Sequence, residues 1–355
     1  MALHEKACEL AAAGQLAAAC RAAGRAAAVF RAHLGPRSPD LANALVERGR
    51  ILRAMADVAA AEREFRAALA VLRGVRSRGD VTGIRAGALA GLGGCLRERG
   101  DYRAAAPLLE RAQRLAERYF GPGAPELITF LNERGVLCKY SGRFALGERL
   151  YRRALALSER AFGADHPSQA TLYHNLGGLE HARGRYDRAE PLARRSVALR
   201  LRAHRRGHPE VTADEVALAA ILDGAGQREE AERLYRRALR SYRRRHGRVH
   251  HEVAIVLEGL AGLQRGSAAE RCYREALAIK QQLFGEAHPE LGVTLNNLGV
   301  HYLDGGDPRA ARLLERALAL FSAQLGAHHP STIACRRNLA RADASARRRS
   351  AERRR

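Results

Sequence analysis

The residues best able to do chemistry in this 355-residue chain are its six cysteines and fourteen histidines. A metal or nucleophilic site needs such groups converging at short, defined spacings. Cys8, Cys20, Cys95, Cys138, Cys272 and Cys335 contain no C-x-x-C pair and match neither a zinc site nor a disulfide framework. They read as small, buried thiols in a reducing compartment, which gives a cytoplasmic location. Cys95 and Cys138 fall on helices with no histidine in partner register. His166, His208, His288 and His329 each stand immediately before a proline, in the extended conformation that position imposes. They lie a helix pair or more apart, so a structural role is expected rather than a shared metal. Gly91-Leu-Gly-Gly94 has no preceding strand and no Lys-Ser/Thr, which makes Gly93 a helix-packing residue rather than part of a phosphate loop. No G-x-S-x-G or H-E-x-x-H occurs. The expectation is a non-enzyme that needs neither metal nor cofactor.

Charge offers a second kind of chemistry. The formal net charge is +23, and all but three of the 61 basic residues (Lys6, Lys139 and Lys280) are arginine. Pairs such as Arg152-Arg153, Arg194-Arg195 and Arg236-Arg237 read as solvated faces of second helices. Nine arginines crowd residues 336–355 against only Asp343 and Glu352. A surface of this kind attracts polyanions, so binding of RNA or of an acidic protein stands as the alternative function. No apolar stretch reaches the ~18 residues of a membrane span, and membrane partners are not expected.

The elements that carry these residues repeat. Phe120-Gly-Pro-Gly-Ala-Pro125, Phe162-Gly-Ala-Asp-His-Pro167, Phe284-Gly-Glu-Ala-His-Pro289 and Leu325-Gly-Ala-His-His-Pro330 share one pattern, with an earlier copy at Leu34–Pro39. Pro125, Pro167 and Pro209 are 42 residues apart; His251 takes the next place, and Pro289 and Pro330 follow after 38 and 41 residues. Upstream, Gly83 replaces the proline. Each period holds two amphipathic stretches with apolar residues three and four apart, divided by a glycine as in Gly100-Asp-Tyr102 and Gly184-Arg-Tyr186. The glycine after each Phe or Leu suits a helix C-terminus in the left-handed region, and the proline suits the first helical turn. The composition, rich in Ala, Leu, Arg and Glu, predicts an all-α chain. Eight helix pairs follow, near 2–34, 39–73, 83–120, 125–162, 167–204, 209–246, 251–284 and 289–325. The seventh pair is four residues short around Gln264–Ser267. A capping helix is expected from 330 to about 345, closing a solenoid over 1–345, with a basic, disordered tail at 346–355.

Units such as His288-Pro-Glu-Leu-Gly-Val-Thr-Leu-Asn-Asn-Leu-Gly299, and His166–Gly177 followed by Gly184-Arg-Tyr-Asp-Arg-Ala-Glu-Pro-Leu192, resemble the tetratricopeptide repeat. The form is the 42-residue one of kinesin light chains and nephrocystin-type proteins. The resemblance covers essentially the whole chain and implies a right-handed superhelical α-α solenoid. It also implies a protein–protein interaction scaffold or adaptor whose concave groove, lined by the first helix of each pair, takes a peptide segment of a partner. Neither the heptad coiled coil of kinesin light chains nor the nucleotide-binding or enzymatic domain of nephrocystin-type proteins is recognisable in these residues.

In that register the groove positions lie seven and eight residues after each proline. Position eight supplies Glu47, Glu133, Asn175, Asn297 and Asn338; position seven supplies Asn132, His174, Glu258, Asn296 and Arg337. The family uses an asparagine before the Leu-Gly or Leu-Ala step to bond a ligand backbone, which fits Asn175, Asn297 and Asn338 best. An asparagine there could equally bond a neighbouring helix. Arg50, Lys139 and His181 lie a turn further on, placed to meet acidic ligand groups. Ala217 and Gly259 replace the asparagine in repeats six and seven, leaving either an apolar pocket or a closer helix contact.

Overall fold

The computed structural model describes residues 2–73, 75 and 80–352. Among them there is no strand. The helices run in pairs: α1 (Ala2–Ala12) with α2 (Leu16–Leu34), α3 (Pro39–Ala54) with α4 (Val58–Val71), α5 (Asp80–Glu98) with α6 (Tyr102–Phe120), and α7 (Leu127–Tyr140) with α8 (Phe144–Phe162). Then come α9 (Ala170–Ala182), entered through a 3-10 turn at Pro167–Gln169, with α10 (Tyr186–Ala203), and α11 (Pro209–Gly224) with α12 (Arg228–His246). The series ends with α13 (His251–Leu263) and α14 (Gly266–Phe284), α15 (Pro289–Asp304) and α16 (Arg309–Gln324), and the single helix α17 (Pro330–Glu352). All eight expected pairs are present, each within a few residues of its expected bounds. Helix α17 runs past the 345 expected for the cap, because no Gly or Pro interrupts the Ala- and Arg-rich stretch to Glu352. Residues 353–355 of the expected tail lie outside the described residues.

The chain forms two compact units, Met1–Tyr140 with Ala145–Gly163, and Ser141–Phe144 with Ala164–Arg355. In the first, α2 packs on α3, α4 on α5 and α6 on α7, and the first helices α3, α5 and α7 meet in sequence order. In the second, each helix from α9 to α17 packs on the next, and α9, α11 and α13 meet along one side.

The packing rule is small against large. Phe65 of α4 is fully buried between Gly49 of α3 and Gly91 of α5. A Cβ at Gly49 would approach its ring to 2.8 Å, and one at Gly91 to 2.2 Å. Tyr235 of α12 lies over Gly259 of α13 in the same way, where a Cβ would come within 2.3 Å. Gly259 therefore gives a closer helix contact, not an open apolar pocket. Gly93 is likewise a packing residue, against Leu109.

The interhelix turns depart from expectation in one respect. Gly121 and Gly285 do have positive φ, 90° and 73°, but their ψ values are 157° and −175°. That is the extended mirror region open essentially to glycine alone, and not the left-handed helical cap. The chain leaves α2, α6, α10, α12 and α14 extended toward the start of the next helix, whereas α16 ends on Leu325 in the right-handed helical region.

Gly259→Leu should overpack the α12–α13 contact and cost about 1–3 kcal/mol, read as a lowered midpoint in thermal unfolding. Gly123→Ala, at an ordinary φ with only the Arg160 guanidinium 4.0 Å away, should leave it unchanged. Equal midpoints for the two variants would contradict the packing rule.

Candidate functional site

The histidines before the repeat prolines are helix caps. The Nδ1 atoms of His166, His208, His250, His288 and His329 accept the backbone N–H two residues on, at 3.2, 3.4, 3.4, 3.2 and 3.1 Å. Each replaces the Ser, Thr or Asp that more often satisfies a free donor at a helix start. Four residues earlier an aromatic ring stacks on the cap. It is Phe284 on His288 at 4.6 Å, His204 on His208 at 3.8 Å and His246 on His250 at 4.1 Å. The last two stacks bring His204, His208 and Glu210, and His246, His250 and Glu252, within 4.8 Å of one another, an assortment able to hold a metal. Their chemistry argues for the cap instead. An imidazole metallated through Nε2 carries its proton on Nδ1 and can no longer accept the backbone N–H, and Glu210 is already paired with Arg200 at 2.9 Å.

Within the first unit, the polar residues of the first helices bond mainly to one another. Arg53 of α3 crosses over Gly94 of α5, where a Cβ would meet its guanidinium at 2.7 Å. It pairs with Glu98 at 2.7 Å and with Glu133 of α7 at 2.9 Å. Arg97 reaches Glu133 at 3.5 Å. Burial works against the Arg53 charge, but Glu133 and Glu98 outweigh it and raise its pKa. Glu133, expected in the groove, is thus committed to an ion-pair network that its register did not foretell. Glu47 pairs with Arg50 at 3.4 Å. Asn132 is half-buried on α7, and the Lys139 ammonium lies 5.6 Å from the Tyr140 ring centre.

In the second unit His174 of α9 bonds through Nδ1 to Asp214 of α11 at 2.7 Å. Asp214, only 3% exposed, also takes Arg200 Nε of α10 at 3.1 Å. Asn175 is half-buried beside it, and His181 stands edge-on to Tyr186. On α13, Glu258 is drawn inward to Lys280 of α14, a lysine with no exposed side-chain surface. Lys280 Nζ lies 2.9 Å from Glu258 Oε2 and 3.0 Å from Glu290 Oε2, and the Thr294 hydroxyl donates to Glu258. Burial alone would lower the Lys280 pKa; the two carboxylates overcome it and raise it. Glu290 is held well below the carboxylate range by Lys280 and His251 in spite of burial, while burial pushes Glu258 up. One faint mark of this core ion pair is in the sequence: Lys280 is one of three lysines in an arginine-rich chain.

Asn338 of α17 donates to Asn296 of α15 at 3.1 Å, and Asn296 donates to Asn297 at 3.3 Å. For Asn296 and Asn338 the neighbouring-helix reading therefore applies. Arg337 is exposed. Asn297 also lines a cleft of about 630 Å³ with Gly262, Arg265, Tyr273 and His301. Of the expected groove residues, it is the one found in this cleft.

Sequence models of the tetratricopeptide repeat match residues 85–146, 126–202 and 260–314, and a second model of that repeat matches 217–252. Among curated proteins, none matches this chain by sequence. Several solved structures share its fold. BtubC (BKLC) from P. vanneervenii is 23% identical, with a TM-score of 0.51 over 64% of this chain and 91% of its own. A Rap protein complexed with competence and sporulation factor is 13% identical, with a TM-score of 0.62 over 80% and 77%. NprR in complex with its cognate peptide NprX is 14% identical, with a TM-score of 0.58 over 84% and 88%. No described helix is long and apolar enough to cross a membrane.

The caps tie stability to pH. Burial, and then the charge of the stacked neighbour, lower the pKa values of His208 and His250 below the ordinary 6.5. The folded state then binds fewer protons than the unfolded one, so this stability is complete above pH ~6.5 and is lost as pH falls through 6.5 toward the folded values. The thermal midpoint should drop between pH 7.5 and 5.5. His204→Phe with His246→Phe, which restores the aromatic of Phe284, should flatten that drop; an unaltered slope would refute the stacked-cap account.

Proposed function

The chain belongs to the tetratricopeptide repeat family, and from that premise we propose that it is a non-catalytic scaffold or adaptor, similar in kind to the kinesin light chains. It holds a peptide segment of a partner protein along the face of its first helices. The observation that carries this reading is Asn297. A helix-interior asparagine costs helix propensity, yet this one opens on a cleft large enough for several side chains. Asn175 occupies the equivalent position on α9 and is half-buried, as a residue gripping a ligand backbone should be. Two structures of similar fold, the Rap complex and NprR, contain a bound factor or peptide. The networks of Glu133, His174 and Glu258 narrow the proposal: these residues shape and stiffen the face, while Asn175 and Asn297 contact the ligand.

A second reading rests on α17. Arg336, Arg337, Arg347 and Arg348 are exposed, and among the described residues none of the four pairs with a carboxylate. A polyanion such as RNA, or an acidic protein, would bind there through charge alone, with an affinity that falls steeply with salt.

Immobilised protein should retain discrete partner proteins from nuclease-treated host lysate at roughly 0.3 M salt, where charge alone is strongly screened. Asn175→Ala with Asn297→Ala should reduce that retention about tenfold or more while the thermal midpoint stays put. Equal retention by the folded double variant would overturn the site; loss of all retention on nuclease treatment would move the function to the arginines.

A further inference from the structure

The cleft beside Asn297 exists because the seventh repeat is short. Helices α11 and α15 have 16 residues each, whereas α13 has 13. At about 1.5 Å per residue its end stops about 4.5 Å early, close to one helical turn. A connection of only Gln264 and Arg265, both extended, then enters α14. The turns of the flanking repeats are not shortened, so Arg228 on one side and Asp304 to Asp307 on the other stand beyond it as walls. The floor holds Asn297, His301 and Tyr273, whose ring lies 6.1 Å from that of His301.

The charges of this notch are unevenly satisfied. Glu270 is held by Arg274 at 2.7 Å and by the Tyr302 hydroxyl at 2.7 Å, Asp307 by Arg309 at 2.7 Å, and Asp304 by Arg341 at 3.4 Å. Arg228 donates only to the Gly262 carbonyl, at 3.2 Å. Among the described residues no carboxylate comes within 4 Å of Arg228 or Arg265. Burial raises the pKa of Asp223, and the Arg228 charge works against that rise, but the two form no salt bridge. The walls therefore offer two cationic forks without acid partners, above a carboxamide and an imidazole.

We propose that this notch receives an acidic side chain, aspartate or glutamate, of the peptide held along the first helices. Its carboxylate pairs with Arg228 and Arg265, and its backbone is held by Asn297. The proposal rests on the peptide-binding reading above and adds to it a position and a side-chain class. The missing helical turn is a specificity pocket, and its selectivity comes from arginines that the fold leaves unneutralised.

Selection of a phage-displayed library of random twelve-residue peptides on the full chain, at roughly 0.3 M salt to screen unspecific arginine attraction, tests this. The wild type should select peptides with Asp or Glu at one fixed position. Synthetic copies should bind Arg228→Gln/Arg265→Gln roughly tenfold or more weakly, and Arg152→Gln/Arg236→Gln, elsewhere on the surface, unchanged. Replacing the acid by Asn or Gln in the peptide should erase the difference between the two proteins. Selected peptides without an acidic position, or with one indifferent to Arg228 and Arg265, overturn the notch and leave the groove intact. Failure to select any peptide overturns the groove reading, and the notch with it. A variant that inserts the four missing residues between Leu263 and Gln264 provides a second check: it should stay folded by circular dichroism, yet lose the acidic preference.

Discussion

A single helix pair cannot bury the apolar face it presents, and the contact that solves this is an aromatic ring of a second helix resting on a glycine of a first helix. Phe65 lies between Gly49 of its own repeat and Gly91 of the next, and Tyr235 reaches forward to Gly259 in the same manner. Each ring fills the space where a side chain would otherwise stand, so the backbones of neighbouring repeats approach closely. Because the contact links a repeat to its successor, every further property is inherited repeat by repeat. In other repeats a smaller side chain takes the ring's place, as Leu109 does on Gly93 and Leu314 on Gly299.

Close approach has an electrostatic consequence. Polar residues on adjacent first helices come within bonding distance whether or not a ligand is present. Arg53, Glu98 and Glu133 use that proximity in the first unit, and His174, Asp214 and Arg200 in the second. Lys280 with Glu258 and Glu290 carries it into the core. An arginine-rich chain benefits, since each inward acid neutralises a guanidinium that would otherwise add to the repulsion of a +23 molecule. Lack of an acid partner does not by itself set an arginine apart in such a chain, as Arg336, Arg337, Arg347 and Arg348 show; Arg228 and Arg265 are informative because both lack one while lining the same cleft.

The period, the pair boundaries and the packing glycines were legible in the sequence because they are local: each follows from turn chemistry and from the spacing of apolar residues. The caps were half legible. Placing His166, His208 and His288 in the extended stretch before a proline was correct, but their task, accepting a backbone N–H through Nδ1, depends on a side-chain rotamer that spacing does not reveal. The groove was least legible. Register put Glu133, Asn296 and Asn297 on equivalent footing, and only the partners supplied by other repeats separate them. Arg53 comes from two repeats before Glu133, and Asn338 from the repeat after Asn296. No period reports such a pairing, since it is set by which residues the intervening helix leaves room for, as Gly94 does for Arg53.

The irregular repeat completes this logic. In a regular array every first helix covers the same portion of its neighbour, so no position along the face is distinguishable by shape. Removing four residues from one repeat breaks that equivalence at a single place without disturbing the ring-on-glycine contact: Tyr235 still rests on Gly259, and α14 keeps its full 19 residues. The loss falls on the end of α13, three residues, and on the turn after it, one residue, farthest from the histidine cap that fixes the start of that helix. A deletion at the capped end would shift the register of Glu258 against Lys280 and leave a charge buried without its partner, at a cost of several kcal/mol. At the turn end it uncovers only Asn297, His301 and Tyr273, which are polar or amphipathic and tolerate water. The repeat can therefore be shortened at its turn and not at its cap, and that asymmetry opens the notch at the end of α13, against the face of α15 that carries Asn297.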